Sequence, residues 1–471
     1  MTSLQTSSRS TAGSAPMSWL PLAALLSGTF LVVLDFFIVN VALPSIQGDL
    51  GAGPSALEWL VAGYGLTFGG LLMAVGPVSE RWGRRRMYVA GVVVFVVASV
   101  LCGVAPDTAS LIAGRLLQGV GAAMLAPMVL ALIGDLYDGA QRVHAMSGYA
   151  TVMGLAAALG QLIGGALIRA DVAGLGWRAV FLVNVPVGLA ILVAAPRLLP
   201  AARTRTKAPL DLVSLMLVVV SSTAVLLPLL EGRRLGWPVW TWVSLVTGVV
   251  LATWLVHRTR SLAARGGHPL VEPAAFRGSA VRDGLLAQAL LFCGMASYFL
   301  VLGLYLQVGH GLGPLASGLV FTVMAATYMV GTRRAAALVA RFGRRVLPVA
   351  AVAFAVGHVL TYVAVEHIGT TGSVLWLTPG LAVSGLGMGV CLSSLVATVM
   401  AGVEPIHAAA VSGSLSTVQQ LGNALGVALI GLVFFGEHRI DVAFAHSLAW
   451  LVGGTVALAV VAVRLGRSAR H

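Results

Sequence analysis

Charged residues are scarce in this sequence. They make up 10% of its 471 residues, whereas 58% of the residues are hydrophobic. A soluble domain carries about a quarter charged residues, so the composition excludes an ordinary globular protein. Apolar runs of roughly 20 residues, the length of a membrane-spanning helix, recur along the chain. Because these runs lack the alternation of transmembrane β-strands, the sequence predicts an all-α polytopic membrane protein.

Lysine is almost absent, since Lys207 is the only one. A phosphate-binding loop of the type Gly-x-x-x-x-Gly-Lys is therefore excluded, and with it an ATP-driven pump built on that loop. The three cysteines form no metal-binding or disulfide pattern, and no His-Glu-x-x-His run occurs. We predict that the chain is not an enzyme and that it holds no metal and no cofactor.

Acidic residues are also few, so the chain carries a formal net charge of +13. The arginines lie in short segments between apolar runs, which the positive-inside rule explains without a nucleic-acid partner. With the N-terminus in the cytoplasm, most of the loop arginines fall on the cytoplasmic side. The arginines expected outside are Arg169, Arg178, Arg233, Arg234 and Arg439. We predict a multi-pass protein of the cell membrane with both termini in the cytoplasm.

A short loop occurs twice in the chain. The segment 80–86 reads ERWGRRR after the second predicted helix, and 340–346 reads ARFGRRV after the tenth. The repetition predicts two homologous halves within fourteen helices. The expected domains are a disordered cytoplasmic tail (1–17), a six-helix bundle (18–200), two extra helices with basic linkers (201–282) and a second six-helix bundle (283–466).

One carboxylate, Asp35, lies in the middle of the apolar run from Leu31 to Pro44, and Asn40 follows five residues later. A charged carboxylate at the bilayer centre costs about 3 kcal/mol on insertion scales. The cheaper states are a protonated acid or an acid that faces a polar cavity. We therefore predict a proton or substrate site at Asp35. The alternative is a structural pair with another buried polar group.

The segment 76–85, GPVSERWGRR, resembles the signature loop of the major facilitator superfamily, although Glu80 stands where that family has Asp. A carboxylate that pairs with arginines in one conformation only would bias a rocking equilibrium. The resemblance implies a conformational switch, and the alternative is that these charges only set the topology. The residues of the predicted switch are Gly76, Glu80, Arg81, Gly83, Arg84 and Arg85.

Two further segments resemble the same superfamily. The segment 115–121, RLLQGVG, matches its Arg-x-x-Gln-Gly-x-Gly motif and places Arg115 and Gln118 close to one helix face. In the family this arginine is linked to proton transfer, so the resemblance implies proton coupling by Asp35 and Arg115. The alternative is an arginine that snorkels to the interface. The segment 154–165, GLAAALGQLIGG, resembles an antiporter motif in which Gln161 replaces a proline. Its predicted helix-packing glycines are Gly154, Gly160, Gly164 and Gly165.

The segment 34–44, LDFFIVNVALP, resembles the first-helix motif of the fourteen-helix drug:proton antiporter branch, and WR at 177–178 and NVPVG at 184–188 resemble that branch as well. The resemblance implies the major facilitator fold, with two six-helix bundles and two central extra helices. It also implies proton-coupled export of antibiotics, drugs or an endogenous secondary metabolite by alternating access. The alternatives are an uptake symporter for a small metabolite and a non-transporting sensor with the same fold.

Parallel repeats place a substrate cavity at the midplane between the halves. Polar and aromatic side chains are candidates for its lining, although each could instead serve helix packing. No other acid lies deep in a predicted helix of the second bundle, which favours neutral, monocationic or zwitterionic cargo. The expected partners are this small molecule, protons and the lipid bilayer, and we expect a monomer. The cavity candidates are Asn40, Tyr64, Gln118, Gln161, Tyr298, Gln307 and Asn423.

Overall fold

The fold is seen in a computed structural model that describes residues 19–200, 211–267, 273–276, 278–404 and 407–468. Within these ranges the regular structure is helical and no strand occurs. This confirms the predicted all-α architecture. The predicted tail (1–17) and the linker residues Arg203, Arg205 and Lys207 lie outside the described ranges.

Fifteen α-helices follow one another along the described chain. Their bounds are α1 Trp19–Leu50, α2 Pro54–Trp82, α3 Arg84–Gly103, α4 Thr108–Leu136, α5 Gly139–Ala170, α6 Ala179–Leu182, α7 Asn184–Leu198, α8 Leu212–Leu235, α9 Val239–Ala264, α10 Ser279–Leu304, α11 Pro314–Phe342, α12 Val346–Ile368, α13 Thr378–Ala401, α14 Ala408–Phe434 and α15 Ile440–Ser468. A π-helical turn, Tyr305–Gly309, continues α10. We call α1–α7 the first half and α10–α15 the second half.

Twelve helical segments of the described residues are long and apolar enough to cross a membrane, or thirteen when the pair Gln141–Ala157 and Leu159–Ala170, bent by 42°, counts as one span. One of the twelve, Pro314–Ile368, has 55 residues and contains both α11 and α12. A continuous helix of that length would be about 80 Å long, far more than a bilayer core of roughly 30 Å. The multi-span architecture is confirmed, and the count of fourteen stays a prediction.

Several helices extend past the bounds expected from hydropathy. The first helix is expected to end near residue 42, yet α1 continues through Pro44 to Leu50. The last is expected over 446–465, and α15 covers Ile440–Ser468. A hydropathy estimate follows the hydrocarbon thickness. The backbone gains by staying helical beyond it, because each further residue satisfies its own hydrogen bonds within the helix.

The two halves repeat the same close helix contacts. Gly119 of α4 faces Tyr64 and Thr67 of α2, and Gly385 of α13 faces Met324 and Thr327 of α11 in the same way. Two residues further along, a second pair of glycines meets the backbone of the third helix in each half. A Cβ at Gly121 would lie 2.7 Å from the Phe95 nitrogen, and one at Gly387 would lie 2.5 Å from the Phe354 nitrogen. Only glycine allows the helices to approach this closely.

The helices between the halves pack unequally. Helix α8 packs against α2 and α14, and α9 packs mainly against α8. Along α9 only Thr241 and Gly248 are buried, while Val246, Val249 and Trp254 are exposed. An apolar helix with this exposure meets lipid on most of its surface. Helix α8 is thus the member of the pair that contacts both halves.

The halves meet most closely at one end of the molecule. We call the end where α1 leads into α2 the α1–α2 face, and the opposite end the α2–α3 face. Toward the α1–α2 face, a Cβ at Gly165 of α5 would lie 2.5 Å from the Pro314 carbonyl oxygen of α11. Toward the α2–α3 face, nothing lies within 4 Å of such an atom at Gly76 of α2 or Gly413 of α14. The halves are therefore closed together at the α1–α2 face and diverge toward the other.

Candidate proton-coupling site

Asp35 lies in the middle of α1 and is fully buried. Its carboxylate oxygen Oδ2 accepts a hydrogen bond from Nη1 of Arg115, also fully buried, at 2.5 Å. The two residues are 80 positions apart in the sequence and come from α1 and α4. The structure therefore brings the predicted acid and the predicted arginine into direct contact. Because both side chains are fully enclosed by protein, this pairing offsets part of the large cost of burying each charge.

Amide groups complete the surroundings of the carboxylate. Gln118 Nε2 donates to Asp35 Oδ1 at 3.0 Å, and Asn184 Nδ2 of α7 donates to the same oxygen at 2.8 Å. Both amides also donate to Ser99 Oγ of α3, at 2.9 and 3.3 Å. Side chains from α1, α3, α4 and α7 thus form one buried polar network. Hydrogen bonds to a charged acceptor are the stronger kind, so the ionised carboxylate is well accommodated here.

Arg115 is held by more than the carboxylate. Its Nε donates to the Leu60 carbonyl oxygen at 2.9 Å, and Nη1 also donates to Gln118 Oε1 at 2.8 Å. The guanidinium carbon lies 4.5 Å from the centre of the Tyr64 ring, a distance typical of a cation–π contact. Its Nη2 atom has no hydrogen-bond partner among the described residues. The arginine is fixed in place but has an unused donor.

Local sequence explains how α4 presents these groups. Asp107 caps the helix, because its carboxylate accepts from the Ser110 backbone N–H at 2.8 Å. That hydrogen bond and one from the Ser110 side chain lower the pKa of Asp107, which lies outside the spans. Gln118 lies three positions after Arg115, so both side chains point to the same neighbour. The helix start and the helical period together place both side chains beside Asp35.

Two members of the network were not predicted from the sequence. Asn184 belongs to a segment that resembles the antiporter branch, yet nothing local assigns it to Asp35, which is 149 positions away. Ser99 is a single hydroxyl in an apolar helix and gives no signal of its own. The only available signal is the rarity of an asparagine within an apolar run, which favours a buried polar partner.

The remaining cavity candidates in the first half are all buried. Asn40 Nδ2 donates to the Phe36 carbonyl oxygen at 3.2 Å and does not join the Asp35 network. Tyr64 forms part of the Arg115 surroundings. Neither side-chain atom of Gln161 that can form hydrogen bonds has a partner among the described residues, and its carbonyl faces Gly318 of α11. Gln161 therefore lies where the two halves close on each other.

The candidates in the second half are separated from one another. Tyr298 pairs with Thr361 at 3.1 Å inside that half. Gln307 Nε2 donates across the halves to the Val41 carbonyl oxygen at 3.1 Å. Asn423 Nδ2 donates to Gln420 within α14 at 3.4 Å. These residues form no single site in this conformation, and their contact with cargo stays a prediction.

The predicted switch loop forms the tight junction between α2 and α3. Gly83 ends one helix and precedes the next with φ of 97°, a conformation that favours glycine. Arg84 Nη1 lies 2.6 Å from Asp135 Oδ1 at the end of α4. Arg85 Nη1 donates to the Leu199 carbonyl oxygen, just after α7, at 3.0 Å. The loop arginines thus hold the ends of α4 and α7. Gly76, Glu80 and Arg81 are exposed along the last turns of α2.

Three of the four predicted packing glycines in α5 meet a neighbouring helix. A Cβ at Gly160 would lie 2.8 Å from Phe37 Cβ of α1, and one at Gly164 would lie 2.6 Å from Val41 Cγ1. Gly165 faces α11, as described above. At Gly154 the nearest atom would be Met329 Cε at 3.9 Å, an ordinary contact distance. Close packing therefore does not require a glycine at that position.

The structure buries a second carboxylate that the sequence did not indicate. Glu58 is the fifth residue of α2 and is only 1% exposed. Its position near the start of an apolar run suggests an interfacial residue in contact with water. Helices α8 and α14 cover it instead. Asp35 is therefore not the only buried acid of the first half, because the burial of Glu58 is decided by helices far away in the sequence.

Residues 25–427 match the Major Facilitator Superfamily. The chain belongs to this superfamily. It is 36% identical to a puromycin resistance protein of Streptomyces alboniger over 94% of this chain and 87% of that protein. It is 37% identical to a probable actinorhodin transporter of Streptomyces coelicolor over 89% and 72% of the two chains. A cephamycin export protein of Amycolatopsis lactamdurans is 33% identical over 85% and 82%.

Solved transporter structures have the same helical fold as this chain. A crystal structure of the peptide transporter POT superposes with a TM-score of 0.68, at 16% identity, over 95% of both chains. A bacterial homologue of the lysosomal transporter Spinster gives 0.68 at 18% identity, over 97% of this chain and 98% of that one. Identities this low support the fold alone. The family match and the sequence relatives confirm the predicted superfamily and its drug-exporter branch.

Proposed function

We propose that this superfamily member exports small organic compounds, such as an antibiotic, in exchange for protons across the cell membrane. The superfamily and the names of the relatives support export of antibiotics. The observation that carries proton coupling is the fully buried pair of Asp35 and Arg115. We also propose the predicted orientation, with both termini in the cytoplasm. The α1–α2 face is then the outer side, and the conformation is closed to the outside.

The network offers a physical route from proton binding to movement. When Asp35 takes up a proton, Arg115 loses its only counter-charge within the network. An unpaired buried guanidinium is costly, on the order of 3–5 kcal/mol. The protein lowers this cost by moving α4 relative to α1 and α7, so that Arg115 reaches water or another acceptor. Protonation thus favours a different packing of the first half, as alternating access requires.

The membrane potential supplies part of the energy for this step. Each charge that crosses the membrane contributes about 2.3 kcal/mol per 100 mV. In the proposed cycle Asp35 takes up a proton from outside and releases it inside as cargo enters. The cargo we favour is neutral, monocationic or zwitterionic. The helices of the second half carry no carboxylate as deeply buried as Asp35 in the part of the chain that the structure describes.

The central test is the substitution Asp35→Asn in proteoliposomes. It replaces the titratable carboxyl group with an amide of similar size, so the variant should insert and fold. We expect drug-driven proton movement to be lost, measured with a pH-sensitive dye inside the vesicles. A matched control is Glu366→Gln, which changes an exposed carboxylate at the end of α12. Undiminished coupled transport by Asp35→Asn, with the control also active, would refute the proposal.

The direction of transport needs a separate measurement. Cells that contain the protein should accumulate less of a transported dye than cells that lack it, and a protonophore should remove the difference. Greater accumulation would favour an uptake symporter. Absence of any flux in proteoliposomes would favour a sensor.

A further inference from the structure

A cluster of charged and aromatic residues links three helices at the α1–α2 face. Glu58 and Trp59 belong to α2, and Glu231 and Arg233 belong to the last turns of α8. Phe435 directly follows α14. The cluster therefore joins the first half, the second half and the extra helix pair. None of its members takes part in the Asp35 network.

Glu58 is covered by the backbone of α14. An added Cβ at Gly431 would overlap both carboxylate oxygens of Glu58, so the acid packs directly against the α14 backbone in this conformation. The same two helices touch further in, where a Cβ at Gly65 of α2 would lie 3.1 Å from the Gln420 carbonyl oxygen of α14. Beyond that contact the helices diverge, as the open surroundings of Gly76 and Gly413 show. The burial of Glu58 therefore depends on the closed α1–α2 face.

The nearest positive charge is poorly placed to keep Glu58 ionised. Arg233 Nη2 lies 3.9 Å from Glu58 Oε1, beyond hydrogen-bond distance. Its Nη1 donates instead to the Phe435 carbonyl oxygen at 2.8 Å, and its guanidinium carbon lies 5.3 Å from the centre of that residue's ring. The arginine is thus oriented by the end of α14. A covered carboxylate without a direct charged partner is more stable in its neutral form.

The other charged group that faces Glu58 is negative. The negative charge of Glu231 in α8 repels a negative charge on Glu58. Glu231 itself accepts hydrogen bonds from two donors. Trp59 Nε1 donates to Glu231 Oε1 at 2.9 Å, and Arg234 Nε donates to Oε2 at 2.7 Å. Helix α14 contributes Gly431 to this site, and Phe435, which follows the helix, contributes its carbonyl oxygen. Neither residue carries a charge. The surroundings therefore favour a proton on Glu58 whenever α14 covers it.

We propose that Glu58 is a second proton-binding residue of the transporter, which takes up a proton at the open α1–α2 face and is then covered by α14 as that face closes. This inference rests on the proposed function as a proton-coupled exporter. When the face opens, α14 moves away and water reaches the carboxylate. Hydration then stabilises the ionised form of Glu58. Proton uptake from the outer solution thus favours closure. Helix α8 supplies the charges that set this balance, which gives the extra helix pair a role in coupling.

The test measures opening of the α1–α2 face against pH. Spin labels are placed at V172C and L375C in a background where Cys102, Cys293 and Cys391 are serine. Val172 and Leu375 are 59% and 72% exposed, and they follow α5 and precede α13, one in each half. In lipid nanodiscs, pulsed electron–electron double resonance should show a short distance between the two labels at mildly acidic pH. A longer distance should increase in population toward alkaline pH.

Substitutions assign this response to one carboxylate. Glu58→Gln, which mimics the protonated acid, should keep the short distance at all pH values. Asp35→Asn should retain the Glu58 response. Arg233→Gln should retain it with a midpoint about one pH unit higher, because the ionised carboxylate loses its nearest positive charge. Glu437→Gln, an exposed acid at the same face, serves as the matched control and should behave as the wild type.

The outcomes separate this inference from the proposed function. A pH response that survives Glu58→Gln, or that shows no midpoint shift in Arg233→Gln, would overturn the role of Glu58. Proton-coupled transport that depends on Asp35 would still stand in that case. Absence of coupled transport in the wild type would refute the proposed exporter function, whatever the distances show. Should Glu58→Gln fail to fold, the midpoint in Arg233→Gln alone decides the question.

Discussion

The two halves of the molecule share a backbone arrangement and differ in chemistry. In the first half, Gly119 and Gly121 let α4 pack closely against α2 and α3. In the second half, Gly385 and Gly387 let α13 pack against α11 and α12 in the same register. Counting from these glycines, Leu381 occupies the position of Arg115. A buried leucine therefore stands where the first half has its buried arginine.

The same alignment relates Gln118 and Ser99 of the network to neutral residues in the second half. Ser384 of α13 corresponds to Gln118. Counting from Phe95 and Phe354, His358 of α12 corresponds to Ser99. Neither ring nitrogen of His358 has a hydrogen-bond partner among the described residues, and its ring packs on Tyr298 with the centroids 4.7 Å apart. At these positions the second half thus repeats the packing without a buried arginine.

This difference indicates how the two halves divide the work. Helix–helix packing in lipid depends on small residues, which both halves keep. Buried charges add cost and are retained for function, and the paired acid and arginine occur in the first half. We infer that the first half responds to protons, while the neutral core of the second half serves as the frame against which it moves.

The largest expected effect comes from Arg115→Leu, which gives the first half the residue that the second half has at Leu381. Asp35 would be left as a buried acid without a counter-charge, so the free energy of unfolding should fall by about 3–5 kcal/mol. Denaturant unfolding of purified protein in detergent measures this. The double substitution with Asp35→Asn should recover most of the loss. A single variant as stable as the wild type would contradict the comparison.

A smaller effect is expected when Asn184→Ala is compared with Thr361→Ala. Asn184 donates to a carboxylate, so its loss should cost about 1.5–3 kcal/mol of unfolding free energy, whereas Thr361 pairs with the neutral Tyr298 and should cost about 1 kcal/mol. The same unfolding assay compares them. Asn184→Ala should also weaken drug-driven proton movement, and Thr361→Ala should not. Equal effects in both assays would remove the contrast between the halves.

The shared packing can be tested with Gly121→Ala and Gly387→Ala. Each added methyl group would press on the backbone of the neighbouring helix, so each variant should lose about 1–3 kcal/mol of stability. Because the two sites have the same geometry, the losses should be similar. Gly154→Ala, at a site without a close neighbour, is the matched control and should be nearly neutral. A large loss in one half alone would argue against equivalent packing.

The smallest effect is expected for His358→Leu. The histidine keeps two polar ring atoms buried without partners among the described residues, and leucine removes them at a similar side-chain volume. The change in unfolding free energy should stay within about 1 kcal/mol and tend toward stabilisation. A loss as large as that of Asn184→Ala would show that His358 has a polar role, and the second half would then be less neutral than the comparison assumes.

Part of the candidate site follows from local sequence. Asp35 stands out because a single acid interrupts an apolar run. Arg115 and Gln118 share a helix face because they are three positions apart. A motif resemblance joins the two segments. Asn184 and Ser99 do not follow in this way, because their roles depend on the packing of α3 and α7 against α1 and α4.

Glu58 shows the opposite case. By sequence it lies four residues from the start of α2, where water is expected. Its burial depends on Gly431, on a helix that begins 350 positions later at Ala408, and on the end of α8. No periodicity within α2 reports that a distant glycine will face the acid. Long-range contacts of this kind decide the charge state of a residue but leave no local pattern.

Composition is enough to specify a bundle of membrane-spanning helices, because apolar length and the scarcity of charge leave no other way to satisfy the backbone in lipid. The rarity of an acid and an arginine within apolar runs also singles out Asp35 and Arg115 as candidates for one site, and the family resemblance links them. The full enclosure of both residues with Asn184, and the position of Glu58 under α14, follow from helix packing that no local pattern encodes. Burial is a property of neighbouring helices, and in this protein the neighbours are set by glycines on distant segments.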